Sequence, residues 1–531
     1  MASALLPIVI VLGFAGCAHT PPPAAQKPSG AKKPVSAQKP ANLNKPVAAQ
    51  KPVPAQKPIA SKKPIVVQKP VAPQKPVAVQ KPVNDGPLQA GLAEIDVTPP
   101  VGYRLSGYFD ERFSKGTHDP LKARAIVLQQ GPCEVALVFC DQVGLSLDVT
   151  RAARAQASQA THIPVTNIVI ASTYGCTGPL FDDLRRDYFH QYAMARHGRD
   201  SHEMTDYPAF LTRQLVQVIA QARTNLQPAA LGARIAAQSG MPFNSRYQMK
   251  DGRVTSNPGP LNPDITGPAG PVDSDLGILL VKDTKSAELV GGLTVFSMRS
   301  DTVGGLLFSA DYPYFVQQAL RKVFGNNYVS AFGAGACGDL DDIDVSKEGQ
   351  GRGFEAAQKL GEGIGQTIIA TLPELYPLDK PAVAVRSTTL VLPLQTVTPR
   401  QLAEASVILD RLRDPRIDVN LKARAVRIKD LARRGSNWPV EIQVFRLNSD
   451  NAIVCLPGEM FAEFGMAIKR ASPFSQTMVI SMCNDRLGYV PTPKAFKEGG
   501  YEVIDSRLKP GAGETMVATA IKMLEDLKPG K

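Results

Sequence analysis

Asn167–Pro179 reads NIVIASTYGCTGP. Its first half, Ile168–Ala171, is a short run of β-branched and small apolar residues, the pattern of a buried strand. Its second half is a turn of small residues that ends in Gly178-Pro179, a strong breaker of regular structure. Tyr174 and Cys176 are the large or reactive side chains within that turn.

Similar strand-like runs recur outward from this segment, at Ala125–Gln129, Val135–Phe139, Gly277–Val281, Leu293–Phe296 and Ala452–Leu456. Between them lie helix-periodic stretches at Val149–Ala160, Phe210–Thr224, Tyr312–Val323, Gly353–Thr371 and Pro399–Leu412. Alternation of the two patterns predicts an α/β fold, with mixed β-sheets and covering helices. The body, residues 87–531, exceeds what a single hydrophobic core usually spans. Two lobes are expected, with a boundary near 375–395. Of its six cysteines, Cys140 and Cys455 sit in strand-like runs and read as inert core residues.

The N-terminal part is different in kind. Residues 1–16 read as a lipoprotein-type signal peptide: an uncharged apolar run, too short to span a bilayer, closing on Phe-Ala-Gly before Cys17. No Lys or Arg precedes the run, so a signal anchor or a displaced start is the alternative. Cys17 is the expected site of lipidation, which implies attachment to a membrane.

Residues 17–86 form a linker. Lys-Pro pairs begin at Lys27, Lys33, Lys39, Lys45, Lys51, Lys57, Lys63, Lys69, Lys75 and Lys81, a period of six. Proline at this density removes N–H donors and fixes φ, which predicts polyproline II and excludes helix and sheet. Two turns per hexad return the lysines to one face, and the repeat spans about 190 Å when fully extended. The spacer also accounts for the charge. Residues 1–86 hold twelve lysines, no arginine and one acid, a balance of +11 out of +12 for the whole chain. The nearly neutral body gives no reason to expect a nucleic-acid partner. The repeat reads as a solvated spacer, with peptidoglycan or another anionic surface as the sharper alternative.

Several motifs of the body follow one another in a familiar order. They include Asp96-Val-Thr-Pro-Pro100, Gly116-Thr-His-Asp-Pro-Leu121, Cys140-Asp141, Asn257-Pro-Gly259, Ser309-Ala-Asp-Tyr-Pro313, Leu456-Pro-Gly-Glu459 and Gly488-Tyr-Val-Pro491. In this order they resemble the neutral ceramidase family, amide hydrolases of N-acylsphingosines, and specifically its short bacterial branch with the catalytic-type domain alone. The family's motif A-T-H-T-H-S-G-P corresponds to the opening segment. The resemblance implies a Zn²⁺ held by two histidines on separate loops, a Glu and a Tyr, activating a water that attacks the amide carbonyl.

Mapped onto this chain, one zinc histidine falls on Tyr174, and the histidine that assists the transition state falls on Cys176. The other zinc histidine, from a segment F-A-x-H-P-T, falls on Arg299 in Phe296-Ser-Met-Arg-Ser-Asp-Thr302. A guanidinium has no free lone pair and cannot ligate a metal. Glu459 and Tyr489 retain the zinc Glu and Tyr positions, and Tyr501 matches a pocket tyrosine. Asp341 stands where true ceramidases carry an active-site Ser. Zinc is therefore expected to be lost or altered.

Two replacements for the metal site are open. One is an Arg299–Glu459 ion pair, which supplies the counter-charge that a buried charge needs and is favoured. The other is a rebuilt site with a Cys176 thiolate and a Tyr174 phenolate. Cys176 has two further readings, a disulfide with Cys337 or a nucleophile with His118 as base. The histidines at 190, 197 and 202 lie in the polar stretch Leu184–Tyr207, which reads as an exposed irregular insert.

The sequence thus predicts an exported, lipid-anchored protein of the bacterial cell envelope. Its ceramidase-like body is divergent and catalytically inactive, with room for a lipid-like or acyl-amide ligand. The competing readings are a hydrolase of N-acyl amides rebuilt around Cys176, Glu459 and Asp341, and a structural envelope protein.

Overall fold

The strand expected at Ile168–Ala171 forms, and it ends one edge of a nine-stranded mixed sheet. In a computed structural model of the chain, residues 86–529 are described, and all of them lie in one compact unit, Val71–Lys531. The signal peptide, Cys17 and the hexad repeat lie outside the described residues.

In spatial order the large sheet runs Val329–Ala334, Leu289–Phe296, Asp275–Asp283, Gln227–Ala237, Gln89–Asp96, Lys122–Gln130, Cys133–Cys140 and Ile168–Ser172, with Tyr376–Pro377 pairing beside Gln227–Ala237. The pair at each end is parallel and the pairings between are antiparallel. A second sheet orders Ala384–Pro393, Asn437–Arg446, Asn451–Cys455 and Gln476–Ile480, and its last pair is also parallel. The chain passes between the sheets after Pro377 and before Ala384.

Alternation along the strands builds four layers. Ala125, Val127, Ala136 and Val138 point outward, where Leu147–Thr161 and Tyr207–Thr224 cover them with Ala153, Ala157, Leu215 and Val218. The intervening Ile126, Leu128, Leu137 and Phe139 point inward and meet Phe445, Ile453, Cys455 and Ile480 of the second sheet. The outer face of that sheet, Val444, Ala452 and Val454, is covered by Ala462–Ala471 and Ala512–Leu527. Two sheets face to face, each backed by helices, cover both sides of central strands such as Lys122–Gln130, Cys133–Cys140 and Asn451–Cys455. Cys140 and Cys455 are fully buried, as inert core residues should be.

One expectation fails here. Leu184–His197 is not irregular but a regular helix, N-capped by the Asp183 side chain on the Arg185 N–H and closed by Gly198 at φ 70°. Its polar surface hid it, because its stability comes from packing of Leu184, Tyr188 and Phe189 against the helical pair Pro399–Leu409 and Val419–Arg434. Among the described residues no helix is long and apolar enough to cross a membrane.

Candidate functional site

Five strand-following loops meet at one place, and backbone hydrogen bonds knit them. Gly175 bridges Ser300, whose carbonyl accepts from the Cys176 N–H at 3.1 Å. The Arg299 N–H donates to Leu340 at 3.4 Å, Gly338 to Met460 at 2.8 Å, and Met482 to Gly458 at 3.1 Å. Glu459 pairs with Tyr489 in a short parallel ladder. Gly338 is needed for this closeness, since a Cβ there would stand 2.3 Å from the Glu459 carbonyl oxygen.

Backbone strain collects at the same place. Tyr174, Met482 and Asn484 all hold positive φ, at 66°, 59° and 59°. Residues other than glycine pay for this conformation, and it clusters where a structure must aim a side chain. At Tyr174 it turns the chain sharply off the strand. The phenol then donates a short hydrogen bond to Glu459 Oε2 and lies 3.3 Å from the Tyr489 hydroxyl. Tyr501 packs edge-on against Tyr489, with ring centroids 5.9 Å apart.

The structure therefore brings together Tyr174, Cys176, Glu459, Tyr489 and Tyr501, and Arg299 acts electrostatically on every one of them. It also acts on Asp341, so all these sequence-derived positions share one locus. The favoured Arg299–Glu459 ion pair does not form. Among the described residues no carboxylate lies within 4.0 Å of the guanidinium, because Glu459 is engaged by Tyr174 and Asp341 by other donors. Asp341 Oδ2 accepts from Asn257 at 2.8 Å and Oδ1 from the Ile343 N–H at 3.1 Å. Arg299 is partly exposed, yet its Nε and Nη2 are buried and without a partner.

His118 is not brought to Cys176. Its Nδ1 is 2.8 Å from Asp119 and its ring stacks on Phe354 at 3.7 Å. Cys176 and Cys337 share one small apolar cluster as free thiols.

The donor set does not fit zinc. Burial, reinforced by Glu459, pushes the Tyr174 and Tyr489 phenols well above their usual range. Burial, and then Asp301, does the same to the Cys176 thiol. Burial also raises Glu459, against the opposing hydrogen bond from Tyr174. Among the described residues the locus offers no histidine nitrogen, and a permanent cation with no free lone pair stands among its oxygen and sulfur donors. Burial alone would lower the Arg299 guanidinium, but its surroundings, with the carboxylates of Asp341 and Asp301 among them, raise it above its usual range.

Among the described residues, one His–carboxylate group has donors close enough to hold a metal, and it lies elsewhere: His190, Asp200 and Glu203, within 4.8 Å of one another. Those carboxylates are already engaged. Arg104 reaches Asp200 at 2.6 Å and Glu203 at 2.7 Å, and Arg186 reaches Glu203 at 2.5 Å. The group is an ion-pair network beside a cavity of about 530 Å³ lined in part by Arg104, His197 and His202.

Sequence reasoning missed the approach to the site. Gly107, at φ 89°, packs its Cα so closely on the Cys176 backbone that a Cβ would come within 2.3 Å of that carbonyl. The neighbouring Tyr108 hydroxyl is 3.3 Å from Asp301, the Arg112 guanidinium lies over its ring at 4.1 Å, and Arg352 bonds the Asp301 carbonyl. Only the glycine, in Leu105-Ser-Gly-Tyr108, gave a local signal.

No curated protein sequence matches this chain. A family model described as Cementoin, Trappin protein transglutaminase binding domain, matches residues 34–63, within the hexad repeat. Among solved structures, the neutral ceramidase from Pseudomonas aeruginosa superposes with TM-score 0.62 at 18% identity, over 84% of this chain and 76% of that one. A ceramidase complexed with C2 gives TM-score 0.60 at 17% identity, over the same shares of 84% and 76%. The body of this chain has the neutral ceramidase fold.

Proposed function

We propose that this protein is a ceramidase-fold binding protein that has given up zinc hydrolysis, exported and tethered by lipid at Cys17 in the bacterial cell envelope. The observation that carries the reading is the pairing at the old metal locus. Tyr174 caps Glu459 with its hydroxyl, while Arg299 supplies a cation where the family places a ligand. A metal there meets a competing positive charge and a set of donors without a histidine nitrogen.

Phenols beside one guanidinium supply hydrogen-bond donors and a cation but no metal-activated water, which suits binding rather than hydrolysis. The rebuilt cysteine mechanism has no base in place, since the Cys176 thiol points to the Tyr174 carbonyl at 3.9 Å and makes no hydrogen bond with His118. The Lys-Pro repeat then serves as the spacer between the lipid and the body.

Hydrolysis of an N-acylsphingosine and of an N-acyl amino acid by the purified full chain tests the reading. It predicts no turnover of either, with or without added Zn²⁺. Turnover that a chelator removes and zinc restores, and that Glu459→Ala abolishes, would overturn it.

A further inference from the structure

The cavity of about 530 Å³ beside the His190 network has the size of a small-molecule site, roughly 300–1,000 Å³. Arg104, from the short strand pair Arg104–Leu105 and Arg112–Phe113, is its most buried lining residue. Tyr192 and His197 of helix Leu184–His197, Arg199 of the loop after it, and Arg413 are exposed around it. None of these residues belongs to the old metal locus, so the cavity is a second candidate site whatever the state of zinc.

The acids that line this cavity are already engaged. Glu111 faces Arg104 Nε at 2.9 Å and Arg413 at 2.8 Å. Asp200 takes Arg104 Nη1 at 2.6 Å and lies 2.9 Å from His190. The cations are in excess. Arg199 pairs with no carboxylate among the described residues, and Nη2 of the buried Arg104 has no acceptor. Aromatic rings hold two further groups in position. His202 stacks on Phe113 with centroids 3.6 Å apart, and the Arg413 guanidinium lies 4.3 Å from the centre of the Tyr192 ring. A guanidinium stacked in this way still presents its N–H groups in its own plane.

We propose that this cavity binds a phosphate monoester, with Arg199 and Arg413 making the contacts and Arg104 adding charge from beneath. Guanidiniums that arrive from separate elements suit three terminal oxygens better than the two of a carboxylate, and a dianion gains more from them than a monoanion. A soluble phosphate ester and the head group of a phosphatidate carry this same chemistry.

Phenyl phosphate and phenyl sulfate have nearly equal shape, and the phosphate carries the extra charge above about pH 6. Titration calorimetry of the purified full chain with each should show one phosphate bound per chain and the sulfate weaker by about tenfold or more. Arg199→Gln combined with Arg413→Gln should weaken the phosphate by about tenfold or more. Both side chains are exposed, so the variant keeps the fold, and the lysines of the repeat are the same in both proteins. Dihexanoyl phosphatidate, dissolved as a monomer, separates the two sources. Binding tighter than that of phenyl phosphate supports the site as one for a lipid head group, and equal or weaker binding supports it as one for a soluble ester. No saturable binding of phenyl phosphate, equal binding of phenyl sulfate, or an affinity unchanged in the double variant would overturn the proposal.

Discussion

Tyr174 accepts a strained left-handed backbone, and its hydroxyl relieves the burial of Glu459. Removing that hydroxyl leaves a buried carboxyl with an unmet acceptor, which costs about 1–3 kcal/mol. Tyr174→Phe should therefore lower the free energy of unfolding in urea by that amount, and clearly less in a Glu459→Gln background, where the two sites couple. A second residue-scale test lies away from the pocket. Trp438, the single tryptophan, donates through Nε1 to Asp485 at 2.7 Å. Burial raises the Asp485 carboxyl from 3.8 to about 6, against opposing contributions from Trp438, Arg434 and Arg151. The folded state thus prefers this group protonated. Its stabilising contribution is full below 3.8 and falls as pH rises to about 6. Trp438 emission should titrate over the same window, and Asp485→Asn should flatten both the emission change and the pH dependence of the urea midpoint.

At the scale of elements, the site depends on loops that approach more closely than side chains allow. Gly338→Ala places a methyl 2.3 Å from the Glu459 carbonyl. Backbone must move, at about 1–3 kcal/mol or more. Thermal unfolding should show the loss, whereas Gly363→Ala, whose nearest neighbour is the flexible end of Met241, should show much less. The same scale explains what the sequence made legible. Strongly apolar runs such as Val135–Phe139 and Ile168–Ala171 announce themselves, because both faces of their sheet are covered. Ala384–Pro393 does not, since its side chains are mostly half-buried and its ten-residue register is fixed by Asn437–Arg446. Helix Leu184–His197 was hidden for the same reason, with only a narrow apolar stripe for tertiary contact. The site's positions were legible through motif order. Its connectivity was not: whether Glu459 faces Arg299 or Tyr174 is decided by the left-handed turn at Tyr174, which no composition signals.

On the scale of the whole molecule, a nearly neutral four-layer body carries a basic spacer. Intact-mass measurement of membrane fractions should find diacylglycerol on the wild-type chain, and Cys17→Ala should release the protein into the soluble fraction. If the protein stays membrane-bound without the modification, the lipid tether is wrong. The central claim concerns the metal locus: the fold persists while its zinc centre has been replaced by a capped carboxylate and a guanidinium. Metal content of the purified full chain tests it most directly, beside a variant with Tyr174→His, Cys176→His and Arg299→His together. The account predicts no stoichiometric zinc in the wild type and zinc gained by the variant. One zinc per wild-type chain, lost on Glu459→Ala, would contradict it.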